Sequence, residues 1–265
     1  MFSNISTSYF KGSGCSDEHV AGASYMTSKH TVQFESIDTC YAFLQSKALS
    51  GRCDILEVYG GEAGCSKLAI RRQLTTGGNY DLTTGVDLCC ALQRKKLLQL
   101  IALLSPLVVI MGPPCAAFSS WSRLNRVNHP ESHERSLKIG LALAHLAIEI
   151  ANVQVSSHRH FLLENPAWSQ MWDIPAMQRL MRHETCCSVV FDQCVIGLCD
   201  PDTGEPMMKP TRLLSSHPCL IKRFIPMSCD RQHSHQHIEG HTHTSKAGAS
   251  SAPGLHRCGR TECVR

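Results

Sequence analysis

Apolar positions along this chain alternate between short continuous runs and stripes at helical spacing. The run DILEVY at 54–59 predicts a buried strand. It is followed by the turn Gly60-Gly61-Glu62-Ala63-Gly64 and a helical pattern over 66–74, a strand, glycine turn and helix unit. The segment 79–88 then leads to an amphipathic helix over 92–104, whose polar face carries Arg94, Lys95, Lys96 and Gln99. A second apolar run, PLVVIM at 106–111, predicts a strand that stops at two prolines. The longest helical pattern, 130–155, puts Leu137, Leu141, Ala144, Ile148 and Ala151 on one face. It returns to HFLLENP at 160–166, a strand halted by a polar pair and a proline. Upstream, Ile37, Cys40, Tyr41, Leu44 and Ala48 form a helix-spaced stripe over 37–49 that can cover a sheet face. Strands alternating with helices predict an α/β fold, which binds ligands beyond the carboxyl ends of its strands.

Composition bounds this picture. A chain of 265 residues, 43% hydrophobic, can bury one sizeable core, expected over 32–240. Residues 1–31 are polar, Gly/Ser-rich and aperiodic, and 241–265 turn to Ser, Ala and Gly, so both ends are expected to be loose or disordered. The sequence has no run of about 18 apolar residues, and its first residues lack the apolar centre of a signal peptide. An intracellular protein without a membrane partner is expected, nuclear if the source is eukaryotic. In a reducing compartment, 15 cysteines suit packing, catalysis or metal binding better than a disulfide framework. The formal charge of +4 suits an anionic partner without demanding one. Among the basic clusters, only the one from Arg123 to Arg135 follows a chemically interesting turn, which makes Arg123 and Arg126 candidates for phosphate contact.

That turn is MGPPCAAFS at 111–119, which projects Cys115 beyond the sheet edge as a nucleophile would be placed. Buried thiols are also common inert packing groups. Glu164-Asn165-Pro166 repeats the same strand-end geometry, so a thiol and a carboxylate can converge on one edge. A thiolate can add to an electron-poor ring while a carboxylic acid protonates the ring nitrogen; Glu164 could instead cap the following segment. The glycines after the first strand let a backbone approach a nucleotide-like cofactor at a helix N-terminus, although G-x-G-x-x-G is incomplete. Asp87 falls near the position of a ribose-binding acid, with Asp81 as rival; either could be a helix N-cap.

GPPCAAFS resembles the catalytic motif of DNA (cytosine-5) methyltransferases, and Glu164-Asn165-Pro166 is similar to their second catalytic motif, usually ending in valine. LEVYGGEAG at 56–64 occupies the family's cofactor-loop position, with Tyr59 where phenylalanine is usual. CVIGLC at 194–199 and KPTR at 209–212 resemble segments of phage-like and mobile-element-associated members. The resemblance runs from about Asp54 to about Gly240. It implies a Rossmann-like S-adenosylmethionine-dependent methyltransferase sheet with helices on both faces. It also implies S-adenosyl-L-methionine held by Glu57, Tyr59, Gly60, Gly61, Gly64, Asp87, Gly112 and Pro113. Cys115 would attack carbon 6 of a cytosine flipped out of DNA, and Glu164 would hold and protonate the N3 side. Arg212 resembles the later arginine that touches the base or its phosphate. Ser119, Asn165 and Arg123 fall on the substrate side.

Between Asp192 and Gly240 there is scarcely room for the family's target recognition domain and closing motifs, so a protein partner supplying recognition is expected. The alternative is a catalytically degenerate module from a mobile element that binds nucleic acid or zinc. Cys219, Cys229, His233, His235, His237, His241 and His243 are dense in zinc-type ligands. Their spacing is not a standard paired-ligand pattern and histidine-rich tracts are often flexible tails, so no metal site is expected.

Overall fold

Chain direction across the sheet reverses at its first parallel strand, and that reversal organises the molecule. The computed structural model describes Asn4–Ser6, Ala23–Met26, Thr31–Phe34 and residues 53–236. The three early segments are β1, β2 and β3, an antiparallel three-stranded sheet. Positions read as a loose arm over 1–31 therefore contribute β1 and β2. The stripe at 37–49 and the tail at 241–265 lie outside the described residues.

The main sheet comprises β4 (Ile55–Val58), β5 (Thr76–Tyr80), β6 (Val108–Met111), β7 (His160–Pro166), β8 (Cys187–Asp192) and β9 (Pro210–Ser215). Their spatial order is β5-β4-β6-β7-β9-β8. β5, β4, β6 and β7 are mutually parallel, whereas β9 runs antiparallel between β7 and β8. The helices are α1 (Gly64–Arg71), α2 (Ala91–Leu104), α3 (Ser120–Asn128), α4 (Pro130–Ser156) and α5 (Pro175–Met181).

The chain steps outward from β4 to β5, then crosses back to β6 and onward to β7. With right-handed crossovers, α1 must cover one face and α2, α4 and α5 the other. Side-chain alternation agrees. Leu56 and Val58 join the core with Leu97 and Ile101 of α2 and Ile150 of α4. Glu57 between them points the opposite way and accepts a hydrogen bond from Ser66 of α1. The expected Rossmann-like α/β class with helices on both faces is what the chain forms.

Helix α4 spans 27 residues and is long and apolar enough to cross a membrane by length and composition. Its face bearing Leu143, Ala147, Ile150 and Ala151 is buried in the core. Gln154, fully buried, donates to Pro106 O at 3.0 Å and His160 O at 2.7 Å and accepts from Arg159 Nε at 3.1 Å. One satisfied amide thus ties α4 to the starts of β6 and β7. Among the described cysteines Cys90 is disulfide-bonded, a departure from the all-thiol expectation; Cys115, Cys194 and Cys229 are free.

Candidate active site

β6 and β7 pair in register with Met111 opposite Leu163, so the loops that follow leave the same carboxyl edge. Gly112 and Glu164 are the next residues on each strand. A Cβ on Gly112 would stand 3.3 Å from Tyr59 O and 3.8 Å from Glu164 Oε2, so the missing side chain leaves the Glu164 carboxyl room over the end of β6. Cys115 opens a 3₁₀ turn, Ala116–Phe118, with Phe118 N–H donating to its carbonyl at 2.9 Å. That turn rests on α4 at Gly140, where a Cβ would come within 2.7 Å of Ala117 Cβ. Asn165 Nδ2 donates to Pro113 O at 2.8 Å and joins the two loops.

Glu164 is half-buried, yet its Oε1 is sealed from solvent and has no hydrogen-bond partner within the protein. Burial raises its pKa above the usual carboxylate value, opposed by the positive charge of Lys209. Burial likewise pushes the Cys115 thiol up; Lys209 again pulls down, and the negative charge of Glu164 adds to the rise. A carboxyl of raised pKa near a thiol, with one cation acting on both, has the chemistry to protonate a ring nitrogen while sulfur adds to the ring. Asn165 Oδ1, like Glu164 Oε1, is a buried polar atom without a partner within the protein. Each is a capacity left open for a ligand.

The glycine turn is more self-contained than expected. Glu57 does not face an open cleft: its carboxylate accepts from Ser66 N and Ser66 Oγ, both at 2.8 Å, and from Cys65 N at 3.3 Å. It caps α1 at its positive end. A Cβ on Gly60 would collide with that carboxyl. Tyr59, at φ 59, turns into the core and donates its hydroxyl to Leu143 O at 3.1 Å. Gly60 N donates to Asn79 Oδ1 and Gly61 N to Asp81 Oδ2, each at 3.1 Å. Gly64 is the first residue of α1.

Asp87 makes an exposed turn before α2, accepting from Cys89 N at 2.8 Å. Asp81 instead directly follows β5, at the carboxyl edge. Its carboxylate accepts from Gly61 N, Thr83 N and Thr83 Oγ1 and closes a capping box with Thr84, so a ribose hydroxyl there would exchange for one of these bonds. Asp81 stands at the carboxyl edge, where an adenosyl cofactor could be held, and the absent side chain of Gly112 keeps that edge open.

No family model matches the chain, and no curated protein matches it. Among solved structures it is similar to the S. pombe Dnmt2 methyltransferase, at 10% identity and a TM-score of 0.40 over 71% of this chain and 61% of that one. A SAM-dependent methyltransferase from Agrobacterium tumefaciens matches at 12% identity and a TM-score of 0.25, over 74% and 69% of the respective chains. The chain thus spans less than two thirds of the first of these. The fold class rests on the strand order and register of this chain itself.

Of the remaining sequence candidates, Ser119 caps the start of α3 and donates its hydroxyl to Ala116 O at 3.1 Å. Arg123 falls within α3, and its side chain lies outside the described residues. Arg212 pairs with Asn165 and its neighbour Leu213 with Glu164, so Arg212 leaves the sheet on the face opposite Glu164. Its guanidinium lies over the Trp172 ring, 5.4 Å from the centroid. Lys209, missed in the sequence beside Arg212, is the cation that acts on both reactive groups. It directly precedes β9, which starts at the carboxyl edge beside the end of β7, a neighbourhood that only the fold reveals.

Proposed function

We propose that this chain is an S-adenosylmethionine-dependent methyltransferase that modifies carbon 5 of cytosine in DNA. The observation that carries the reading is the placement of Cys115 and Glu164, a carboxyl of raised pKa, on two strand-end loops joined by the Asn165 to Pro113 hydrogen bond. S-adenosylmethionine, held at the edge by Asp81 and the turn after β4, would supply an electrophilic methyl group.

The protein's own groups do the rest. Cys115, its thiol proton first released to solvent, forms a sulfur bond to carbon 6 while Glu164 gives its proton to ring N3, so that electron density builds at carbon 5. After methylation of carbon 5, its proton leaves to a base, Cys115 departs as thiolate, the ring double bond returns, and N3 gives its proton back to Glu164. The target base must be out of its stack for either face to be reached. Exposed Trp168, just past Glu164 and Asn165, offers a stacking surface at that edge. The chain's excess positive charge suits the phosphate backbone, with Arg126 of α3 exposed beyond the Cys115 turn. A partner protein or a further segment would choose the site.

The test is incubation with S-adenosylmethionine and DNA containing 5-fluorocytosine, whose fluorine cannot leave as a proton does. A covalent adduct is expected, absent in Cys115→Ser. Lack of adduct from protein that binds S-adenosylhomocysteine overturns the reaction; an adduct with fluorocytosine RNA alone overturns DNA as substrate.

A further inference from the structure

Four side chains with the chemistry of a soft-metal site converge just beyond the end of β8. Cys194, Cys229, His233 and His235 each present one ligand atom, and these atoms all lie within 4.8 Å of one another. Cys229 Sγ is 3.7 Å from His233 Nε2 and 3.4 Å from His235 Nε2. A tetrahedral zinc ion, with bonds of about 2.3 Å to sulfur and about 2.05 Å to nitrogen, sets its sulfur and nitrogen ligands about 3.6 Å apart. The two observed edges straddle that length. Cys229 Sγ thus faces two ring nitrogens at once, at the separation that one shared zinc ion would set.

The surrounding backbone is arranged for the same purpose. Cys194 lies in the 3₁₀ turn Gln193–Ile196 directly after β8. Asp192, the last residue of β8, accepts from Cys229 N at 2.9 Å and so draws the later segment to that turn. Arg231 adopts φ 58, a left-handed conformation that L side chains rarely take, and its N–H donates to Cys229 Sγ at 3.3 Å. Asp230 Oδ1 stands 3.9 Å from His233 Nδ1, the ring nitrogen turned away from sulfur. An outer carboxylate on that nitrogen is how proteins orient a metal-bound histidine.

We propose that Cys194, Cys229, His233 and His235 bind one zinc ion in a closed structural site. On binding, the two thiols release their protons to solvent, leaving Zn²⁺ with two thiolates and two neutral imidazoles, an electrically neutral group. Four protein ligands leave no open position, so the ion holds structure and does not act on substrate. The ion would add to a small apolar cluster, Phe191, Leu213 and Ile221, on which Ile196 and Met227 also pack. Gln193, adjacent to Cys194, donates from N to Lys209 O at 3.2 Å and from Nε2 to Thr211 Oγ1 at 2.9 Å. The ion would therefore brace the strand entry that carries Lys209.

The site escaped the sequence because its first ligand lies far upstream of the histidine tract, on the other side of the β8 to β9 connection. Its test is metal content of the full chain, purified without chelators. About one zinc per chain is expected, falling to background in Cys194→Ser and His235→Ala and unchanged in Cys219→Ser, an exposed thiol outside the cluster. Since a ligand variant could fail to fold, the unmodified protein is also stripped of metal and titrated with cobalt(II). Intense visible bands of a tetrahedral sulfur and nitrogen site, bleached by added zinc, support the proposal. Negligible zinc with no such bands, or full zinc retained in folded Cys194→Ser, overturns it.

Discussion

Asn165 and Pro113, far apart in sequence, meet in a buried hydrogen bond of 2.8 Å, and it is this bond that makes one site of two strand ends. Met111 and Leu163 set the strands side by side; the bond from Asn165 then fixes how the Gly-Pro-Pro turn leaves the sheet. Replacing Asn165 with alanine leaves Pro113 O buried without its donor, at a cost of about 1–3 kcal/mol. Cys115 would lose its fixed distance from Glu164. In Asn165→Ala, kcat should fall about 100-fold with little change in KM for DNA, as expected for lost positioning rather than lost binding. Single-turnover methylation with saturating DNA checks this, and a KM effect with intact kcat would show that Asn165 binds substrate instead.

Glu164 should be costly to stability where it is useful to chemistry. Burial raises its pKa above the ordinary 4.5, and Oε1 has no partner within the protein. A carboxyl whose folded pKa is raised favours the folded state while protonated, and that stability is lost as pH climbs through the folded pKa. Glu164→Gln removes the titration, so the variant should be more stable than the parent at pH 8, with the gap closing toward pH 4. Activity should fall about 10²–10⁴-fold, the usual worth of a positioned general acid. Thermal melts at the two pH values, alongside methylation rates, check both halves.

Continuous apolar runs made β4, β6 and β7 legible, because a strand buried on both faces needs little else. The strand-end placement of Cys115 and Glu164 was legible for a related reason: a run that ends in a proline turn shows where the chain leaves the sheet. β8 and β9 were not, since CSVVFD and PTRLLS break their apolar runs with Ser, Thr and Arg at the sheet's antiparallel end. Glu57 misled because an acid beside a glycine turn looks alike whether it awaits a cofactor or caps α1. Asp81 and Asp87 differ only in where β5 stops, and TGGNY, with two glycines, hides that boundary from any apolar pattern. Lys209 and Cys194 act through neighbours distant in sequence, which only the folded chain supplies.

Gly140 tests whether the fold aims the thiol. In α4 a Cβ here would lie 2.7 Å from Ala117 Cβ and 3.3 Å from Phe118 Cε2, both in the turn that Cys115 opens. Gly140→Ala gains about 1 kcal/mol of helix propensity, set against about 1–3 kcal/mol of overpacking. The net should therefore be a loss of stability of up to about 2 kcal/mol. The turn must move, and methylation should fall about tenfold or more. A folded variant with undiminished kcat would show that Cys115 does not depend on contact with α4.

Lys209 should govern the pH profile. Its charge lowers the pKa of both Cys115 and Glu164 against the upward push of burial. The reactive pair carries one proton between thiol and carboxyl, so the rate falls at acid pH once both are protonated and at alkaline pH once both are ionised. Because the Glu164 pKa is already raised, the acid limb should lie above 4.5 in the parent. In Lys209→Met the opposing charge is gone and both limbs should shift to higher pH; Lys209→Arg should keep the parent profile. Measuring kcat/KM from pH 5 to pH 9 with DNA at fixed ionic strength separates this from a phosphate-binding role, in which Lys209→Met would raise KM uniformly and leave both limbs in place.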